Sequence, residues 1–449
     1  MTINSVWYKL RAGFSEVIQG SGIKGKAATI NRLFKLSLGS KFGSSFFVQD
    51  SIASELWSDF YLLRFLEKPC NVIRISRAEP VLWFMVPELD AKVFFGGYRA
   101  YFEFIRIIQA RGNATGLIVL GPHQGKKYAL QEFSNNPLVK QVIERCDFQS
   151  MGGVKSVFLQ ESDTLFAYNW TTAITAKIIC EALRRPFYYY FVQEDERIFY
   201  QNDSFRFLID SIFESSIEAR LICNSFALRE HFIRESKCPK GVPSRVFEQA
   251  VPDVAGASGV LNEINRPFKF GFYGRPEGHA KRNLMPVALS AIYAAATLGA
   301  FDGRDWEFYM VGSAEMGESF SLGSIEFKCL PPMGYDEYRR EISKWDLALS
   351  LMYAPHPSVP PFEMVRSGTV TVVNASPGRS ADWYKAISGN FEVGEATTDG
   401  LAKALIAGAE RVHDVESRRL HANSHHLSTW GESFSDLCCI LASEIDNFR

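Results

Sequence analysis

Four prolines fall within the nine residues 353–361 (YAPHPSVPP), and this spacing excludes more structures than any other stretch of the chain. Proline fixes φ and lacks an N–H, so neither a helix interior nor a central strand can pass through the segment; it must be a loop. The apolar run at 347–352 has strand length, and the β-branched run at 369–373 reads as a second strand. Between them a short helix is expected, starting near Pro361 and ending at Gly368, because proline suits a first helical turn and glycine a C-terminal cap. A loop carrying Tyr353, His356 and Glu363 between two buried parallel strands lies where open α/β sheets bind ligands.

The same alternation of short apolar runs and helical segments continues on both sides. Strands are expected at VLWFMVP (81–87), GLIVLG (116–121), TLFAYN (164–169), FYYYFVQ (187–193) and ARLICNS (219–225). A small, polar, unpatterned stretch at 251–267 then interrupts the pattern, which resumes at FKFGFYG (268–274), DWEFYMVG (305–312) and IEFKCL (325–330). Strands alternating with helices imply mostly parallel, doubly wound sheets, and 449 residues exceed one ordinary core. The expected layout is a helical, basic extension over 1–75, whose best amphipathic helix is 51–68, followed by α/β domains over 76–260 and 261–425. A C-terminal helix over 426–449 is expected to return to the first domain.

Composition removes several function classes. The formal charge of −1 leaves no basic footprint for nucleic acid. No stretch reaches the roughly 18 uninterrupted apolar residues that a bilayer span needs, and the first residues lack a signal-peptide core. Eight scattered cysteines without a CxxC pair suit reduced thiols, so a cytoplasmic protein is expected. Residues 1–50 depart from the average: seven Lys and Arg against Glu16 and Asp50 give an excess of +5, interleaved with Phe34, Leu36, Phe46 and Phe47. Such a segment can lie on the anionic inner face of the cytoplasmic membrane, or pack as a solvated arm on its own domain or a partner subunit.

Three motifs have weak claims. GSGIKG (Gly20, Gly22, Gly25) matches a dinucleotide fingerprint but has charged residues, not a buried strand, before it. GPHQGKK (121–127) has glycines four apart and no Ser or Thr after the lysines, so it is no Walker loop; its His123 follows a strand end. His421, His425 and His426 have helical spacing without a further ligand nearby, and no metal or cofactor is expected.

The second domain opens with stronger chemistry. Its first strand runs into Gly274, Arg275, Pro276 and Gly278, then Lys281, Arg282 and Asn283 at the start of a helix. Arg275 and Lys281 flanking a helix N-terminus make a diphosphate clamp, since arginine forks onto oxygen pairs and lysine adds a point charge. Glu363 is placed to accept two hydrogen bonds from a ribose diol, or merely to complement a helix dipole. Tyr353 and His356 are placed to contact the base or sugar. Gly96 and Gly97, at the start of an earlier helix, let backbone N–H groups approach an anion.

The spacing of Arg275 and Lys281, together with PPFEMVRSG after a strand, resembles the retaining glycosyltransferases of GT-B type, which use nucleotide-sugar donors. YFVQEDERIFY (190–200), FYGRP (272–276), LSLMYAPHPSVPPFEM (349–364) and the FGG loop (95–97) resemble the WsaF family of bacterial rhamnosyltransferases, from about Trp83 to the C-terminus. That resemblance implies two Rossmann-like domains facing across a cleft, with the donor bound mainly by the second and the acceptor by the first. It also implies dTDP-rhamnose as donor and a growing cell-surface polysaccharide, free or lipid-linked, as acceptor. By position, Arg275 and Lys281 hold the diphosphate with Gly274, Glu363 holds the ribose, and Gly96 and Gly97 close on the phosphates. The wider group often has a second glutamate eight residues before the ribose-binding one; here that position is Pro355, and His356 and Ser358 replace its contacts. No DxD triplet occurs, so a metal-dependent GT-A enzyme is not expected. Glu194 and Asp195, with Glu196 beside them, are the candidate bases; a solvated acidic loop explains them equally well. The competing readings are an NAD-dependent oxidoreductase and a non-catalytic GT-B scaffold in glycan assembly.

Overall fold

The computed structural model describes residues 50–91, 94, 96–121, 125–152, 155–238, 245–252, 266–313, 316–422 and 429–446. The basic segment before Asp50, GSGIKG, Phe95, His123, His425 and His426 lie outside these residues. The described chain forms two compact units: one runs to Phe191 and adds Ser204–Leu221 and the residues from Ser443, the other comprises Val192–Asp203 and Ile222–Ala442.

In the N-terminal half the strands are β1 (Asn71–Arg74), β2 (Leu82–Val86), β3 (Thr115–Val119), β4 (Asp147–Ser150), β5 (Ser156–Leu159), β6 (Thr164–Ala167), β7 (Phe187–Val192), β8 (Glu218–Asn224) and β9 (Val246–Phe247). Seven of them form one sheet in the order β4-β3-β2-β6-β7-β8-β9, and β1 and β5 pair in parallel as a separate ribbon. Every residue of β2, β3 and β7 is buried, as befits strands covered on both faces. Buried Asp163 anchors the entry to β2, accepting from the Val81 and Gln160 amides at 2.9 and 3.0 Å, from the Trp83 indole at 2.9 Å and from the Arg77 guanidinium. Lys155 closes the helix Asp50–Glu67: its Nζ donates to the Phe65, Leu66 and Lys68 carbonyls at 2.9, 2.8 and 2.8 Å, satisfying acceptors that a helix end leaves open.

The second sheet contains β10 (Phe268–Tyr273), β11 (Trp306–Val311), β12 (Ser319–Leu322), β13 (Ile325–Cys329), β14 (Leu347–Ser350), β15 (Val370–Asn374) and β16 (Phe391–Gly394). Its order is β12-β13-β11-β10-β14-β15-β16, parallel except for the edge strand β12. The direction of winding therefore reverses between β10 and β14, where Tyr273 and Ser350 are register partners. Alternate residues of β14 face opposite cores. Leu347 and Leu349 pack with Phe270, Phe272, Val370 and Val372 under the helices Met285–Thr297 and Thr398–Arg411, while Ala348 packs with Trp345, Ile342 and Met364. Gly271 is required here: a Cβ on it would lie 1.9 Å from the Trp345 ring. At the other end of the strands, buried Asp346 takes a forked pair from Arg266 at 2.7 and 2.9 Å and a third bond from Arg418 at 3.0 Å.

The structure has the expected α/β architecture and the strand–loop–helix–strand unit at 347–374, with the helix at Pro360–Arg366, one residue earlier than expected at its start. The short strands β1, β4, β5, β9, β12 and β16 are additions to the pattern read from sequence. None is longer than four residues, and several carry polar or charged side chains (DFQS in β4, SFSL in β12, FEVG in β16), so their apolar period is too short to read.

Candidate active site

The loop that follows β14 is fastened from four directions. Asn374 brackets Met352, its Oδ1 accepting from the Met352 amide at 2.8 Å and its Nδ2 donating to the Met352 carbonyl at 3.1 Å. Arg379, with no exposed surface, donates to the Met352 and Ala354 carbonyls at 3.0 and 2.6 Å and to the Tyr384 hydroxyl at 3.0 Å. The Tyr353 amide donates to the Arg282 carbonyl at 2.7 Å, joining this loop to the one after β10, and the Asn283 side chain donates to the Leu351 carbonyl at 3.1 Å. The His356 amide donates to Glu194 Oε1 at 3.2 Å. Proline-rich backbone supplies few donors of its own, so side chains from elsewhere in the fold give this loop its shape.

The loop after β10 begins at Gly274, whose amide donates to the Val311 carbonyl at 2.9 Å; a Cβ there would come within 2.7 Å of the Phe272 ring. Arg275 follows, a quarter exposed, with its Nε 3.5 Å from Glu277 Oε2. The 3-10 helix Gly278–Asn283 then sets the phase of the two adjacent cations: Lys281 is exposed, whereas Arg282 is half-buried. The Tyr273 hydroxyl, at the end of β10, lies in the field of Arg275, Arg282 and Glu363, and burial raises its pKa against the two arginines. Glu363 is buried in the first turn of Pro360–Arg366 and its Oε1 accepts from the Tyr335 hydroxyl at 2.7 Å. Ser358 is also buried, while Tyr353 is 55% exposed. Arg275, Arg282 and Glu363 thus stand on the two loops that leave the β10/β14 strand ends, where winding reverses, and all three act on the Tyr273 hydroxyl.

Segment 192–203 belongs to the same compact unit and brings the acidic pair. The two carboxyls have opposite environments. Burial pushes the Glu194 carboxyl up to about 8, although amide bonds from Asp195 and His356 and the charges of Arg282 and Arg379 pull the other way. Burial also disfavours ionised Asp195, but hydrogen bonds from His231 and Arg197 outweigh it and hold that carboxyl at about 2. Asp195 accepts from Arg197 Nε at 2.8 Å and Nη2 at 2.7 Å, and His231 Nε2 lies 2.7 Å from its Oδ2. It is therefore a fixed ion-pair partner, and Glu194 is the carboxyl of the two that holds a proton near neutral pH. Burial, then Arg379 and Arg282, lower His356 to about 3, so its imidazole is neutral.

Gly96 and Gly97 open the helix Gly96–Ala110 of the other unit, and a Cβ on Gly96 would meet nothing within 4 Å. Among the described residues no three His, Cys, Asp or Glu side chains form a metal-binding group, and no helix is long and apolar enough to cross a membrane. Sequence reasoning assigns no role to Arg282, Arg379, Asn374 or Tyr335. Arg282 is detectable as the neighbour of Lys281, but which of the two turns inward depends on a 3-10 phase that spacing alone does not reveal. Tyr335 opens the helix Tyr335–Ile342 and Arg379 closes a turn with Ser376, and neither setting marks which distant group the side chain reaches.

Residues 269–406 match the family defined as WsaF, C-terminal domain. Among solved structures, sucrose-phosphate synthase from Thermosynechococcus elongatus is similar at 13% identity with a TM-score of 0.52, covering 82% of this chain and 100% of that one. HepE of Anabaena, in complex with UDP and glucose, gives a TM-score of 0.55 at 13% identity, covering 82% of this chain and 100% of that one. The same Anabaena protein in complex with UDP-glucose gives 0.52 at 13% identity, covering 81% and 100%. A search of curated protein sequences finds no match.

Proposed function

We propose, from the premise that the chain has the GT-B glycosyltransferase fold and is WsaF-like over residues 269–406, that it transfers a sugar from a nucleoside-diphosphate donor bound at the β10/β14 strand ends. The observation that carries this reading is the joining of the loop after β10, which bears Arg275 and Arg282, to the loop before the Glu363 helix by the Tyr353 amide at 2.7 Å, with both cations and the carboxylate acting on the Tyr273 hydroxyl. Two guanidiniums suit a diphosphate, and a carboxylate across the same strand end suits a ribose diol. Lys281 adds charge at the exposed rim, and Gly274 is read with these cations as part of the diphosphate site. Ser358, Tyr353 and His356 lie on the loop that would face the base and sugar.

In this reading the leaving diphosphate is stabilised by fixed cations rather than by proton transfer alone. Glu194 carries the proton traffic, since its carboxyl is neutral at pH 7 yet close enough to its midpoint to give or take a proton. Neutral His356 offers a hydrogen bond without charge, and Asp195 with Arg197 and His231 holds the segment in place. The donor is read as dTDP-rhamnose and the acceptor as a growing, free or lipid-linked surface glycan, on the resemblance of LSLMYAPHPSVPPFEM and FYGRP to the WsaF rhamnosyltransferases. The work would be done in the cytoplasm, at the membrane face where such acceptors grow.

The test is transfer of labelled rhamnose from dTDP-rhamnose into a lipid-linked glycan extract, with UDP-glucose as the contrasting donor. Arg275→Ala and Glu363→Ala should each lower transfer by about 100-fold or more; Arg275→Ala should leave the thermal midpoint of the ligand-free protein nearly unchanged, whereas Glu363→Ala, which strips the Tyr335 hydroxyl of its acceptor, should cost about 1–3 kcal/mol of stability. Full activity in both variants would remove the site assignment.

A further inference from the structure

We propose that Phe199 is a positioning residue for the donor's diphosphate, its ring serving as the shelf that holds the Arg282 guanidinium at the β10/β14 strand ends. The Arg282 guanidinium carbon lies 4.7 Å from the centre of the Phe199 ring. Arginine has a long side chain with many rotamers, and a flat aromatic face reduces that freedom while attracting the cation. Such a restraint has a use at Arg282, because the like charge of Arg275 and the carboxyl of Glu194 act on it in opposite senses.

Phe199 is itself firmly presented. It closes the 3-10 helix Glu196–Phe199, whose first turn is capped by Asp195 through the Arg197 amide at 3.2 Å. Asp195 in turn is held by the Arg197 and His231 side chains at 2.7–2.8 Å. The Phe199 ring remains 38% exposed. The backbone of Arg282 is fixed separately by the Tyr353 amide at 2.7 Å. The shelf therefore acts on the guanidinium alone. The inference rests on the donor site described above.

The experiment is calorimetric titration of the full chain with dTDP and with dTMP, which lacks the second phosphate; UDP serves as a second diphosphate probe. Phe199→Leu should weaken dTDP by about three- to thirtyfold, the range of a cation–π contact, and leave dTMP unchanged, while Phe199→Trp restores dTDP binding. Arg282→Lys should behave as Phe199→Leu does, because an ammonium cannot fork onto the phosphate oxygens. Wild-type dTDP affinity in Phe199→Leu or in Arg282→Lys, or an equal loss of dTDP and dTMP, overturns the role of Phe199 and leaves the donor site standing. Failure of the unaltered protein to bind dTDP or UDP overturns both.

Discussion

Removing the Arg379 guanidinium should loosen the loop on which the proposed site depends. Arg379→Met keeps most of the buried volume but deletes bonds to the Met352 carbonyl (3.0 Å), the Ala354 carbonyl (2.6 Å) and the Tyr384 hydroxyl (3.0 Å). The Met352 carbonyl retains Asn374 at 3.1 Å. The Ala354 carbonyl is left buried without that donor, which costs about 1–3 kcal/mol, and the bonds to a charged donor were worth about 1.5–3 kcal/mol each before desolvation is counted. Releasing a buried charge returns part of this, so the net loss should be about 3 kcal/mol. The assay is urea unfolding of the full chain followed by tryptophan emission, fitted for two transitions because the chain has two compact units. One transition should move to lower urea and the other should stay. A variant within about 0.5 kcal/mol of the unaltered protein, the ordinary scatter of surface changes, would refute the claim that Arg379 holds the loop.

Glu194→Gln tests the buried proton. The carboxyl at about 8 lies above its ordinary 4.5, so between these values the folded chain holds a proton that the unfolded chain has lost. Its contribution to stability is complete below the ordinary value and is lost as pH rises toward 8; the glutamine variant should show a flatter decline in unfolding midpoint between about pH 5 and 9, and an unchanged slope would contradict the assignment. Gly271→Ala puts a methyl where the Trp345 ring lies, 1.9 Å away, and should cost about 3 kcal/mol through overpacking. Its tryptophan emission should shift, and an unaltered spectrum and midpoint would show that the ring is not seated there.

Local chemistry makes the strand–loop–helix–strand unit legible. Proline excludes helix and central strand within its own few residues, and β-branched runs name their strands, so 347–374 can be placed to within two residues at its strand and helix ends. The pairing of this unit with the loop after β10 is also accessible, because both follow strands of one doubly wound sheet. What stays hidden in the sequence depends on long separation or on fine phase. Glu194 and His356 meet across 162 residues, and Arg379 reaches back 25 residues to Ala354 from a segment with no periodicity. Lys281 and Arg282 are neighbours in sequence with different surroundings, exposed and half-buried. The different fates of Glu194 and Asp195 likewise come from their settings, burial for the first, Arg197 and His231 for the second.

Whether the β10/β14 strand ends hold a nucleoside diphosphate is tested most directly by the thermal midpoint of the full chain in the presence of dTDP, UDP, GDP or NADH, since a ligand that binds only the native state raises its stability. At a hundredfold excess over its dissociation constant a bound nucleotide adds about 2.7 kcal/mol, which should appear as a rise of a few degrees. The expected result is such a rise for dTDP, its loss in Glu363→Ala, and no response to NADH. A rise with NADH alone, or no rise with any nucleoside diphosphate, would contradict a donor site at these strand ends.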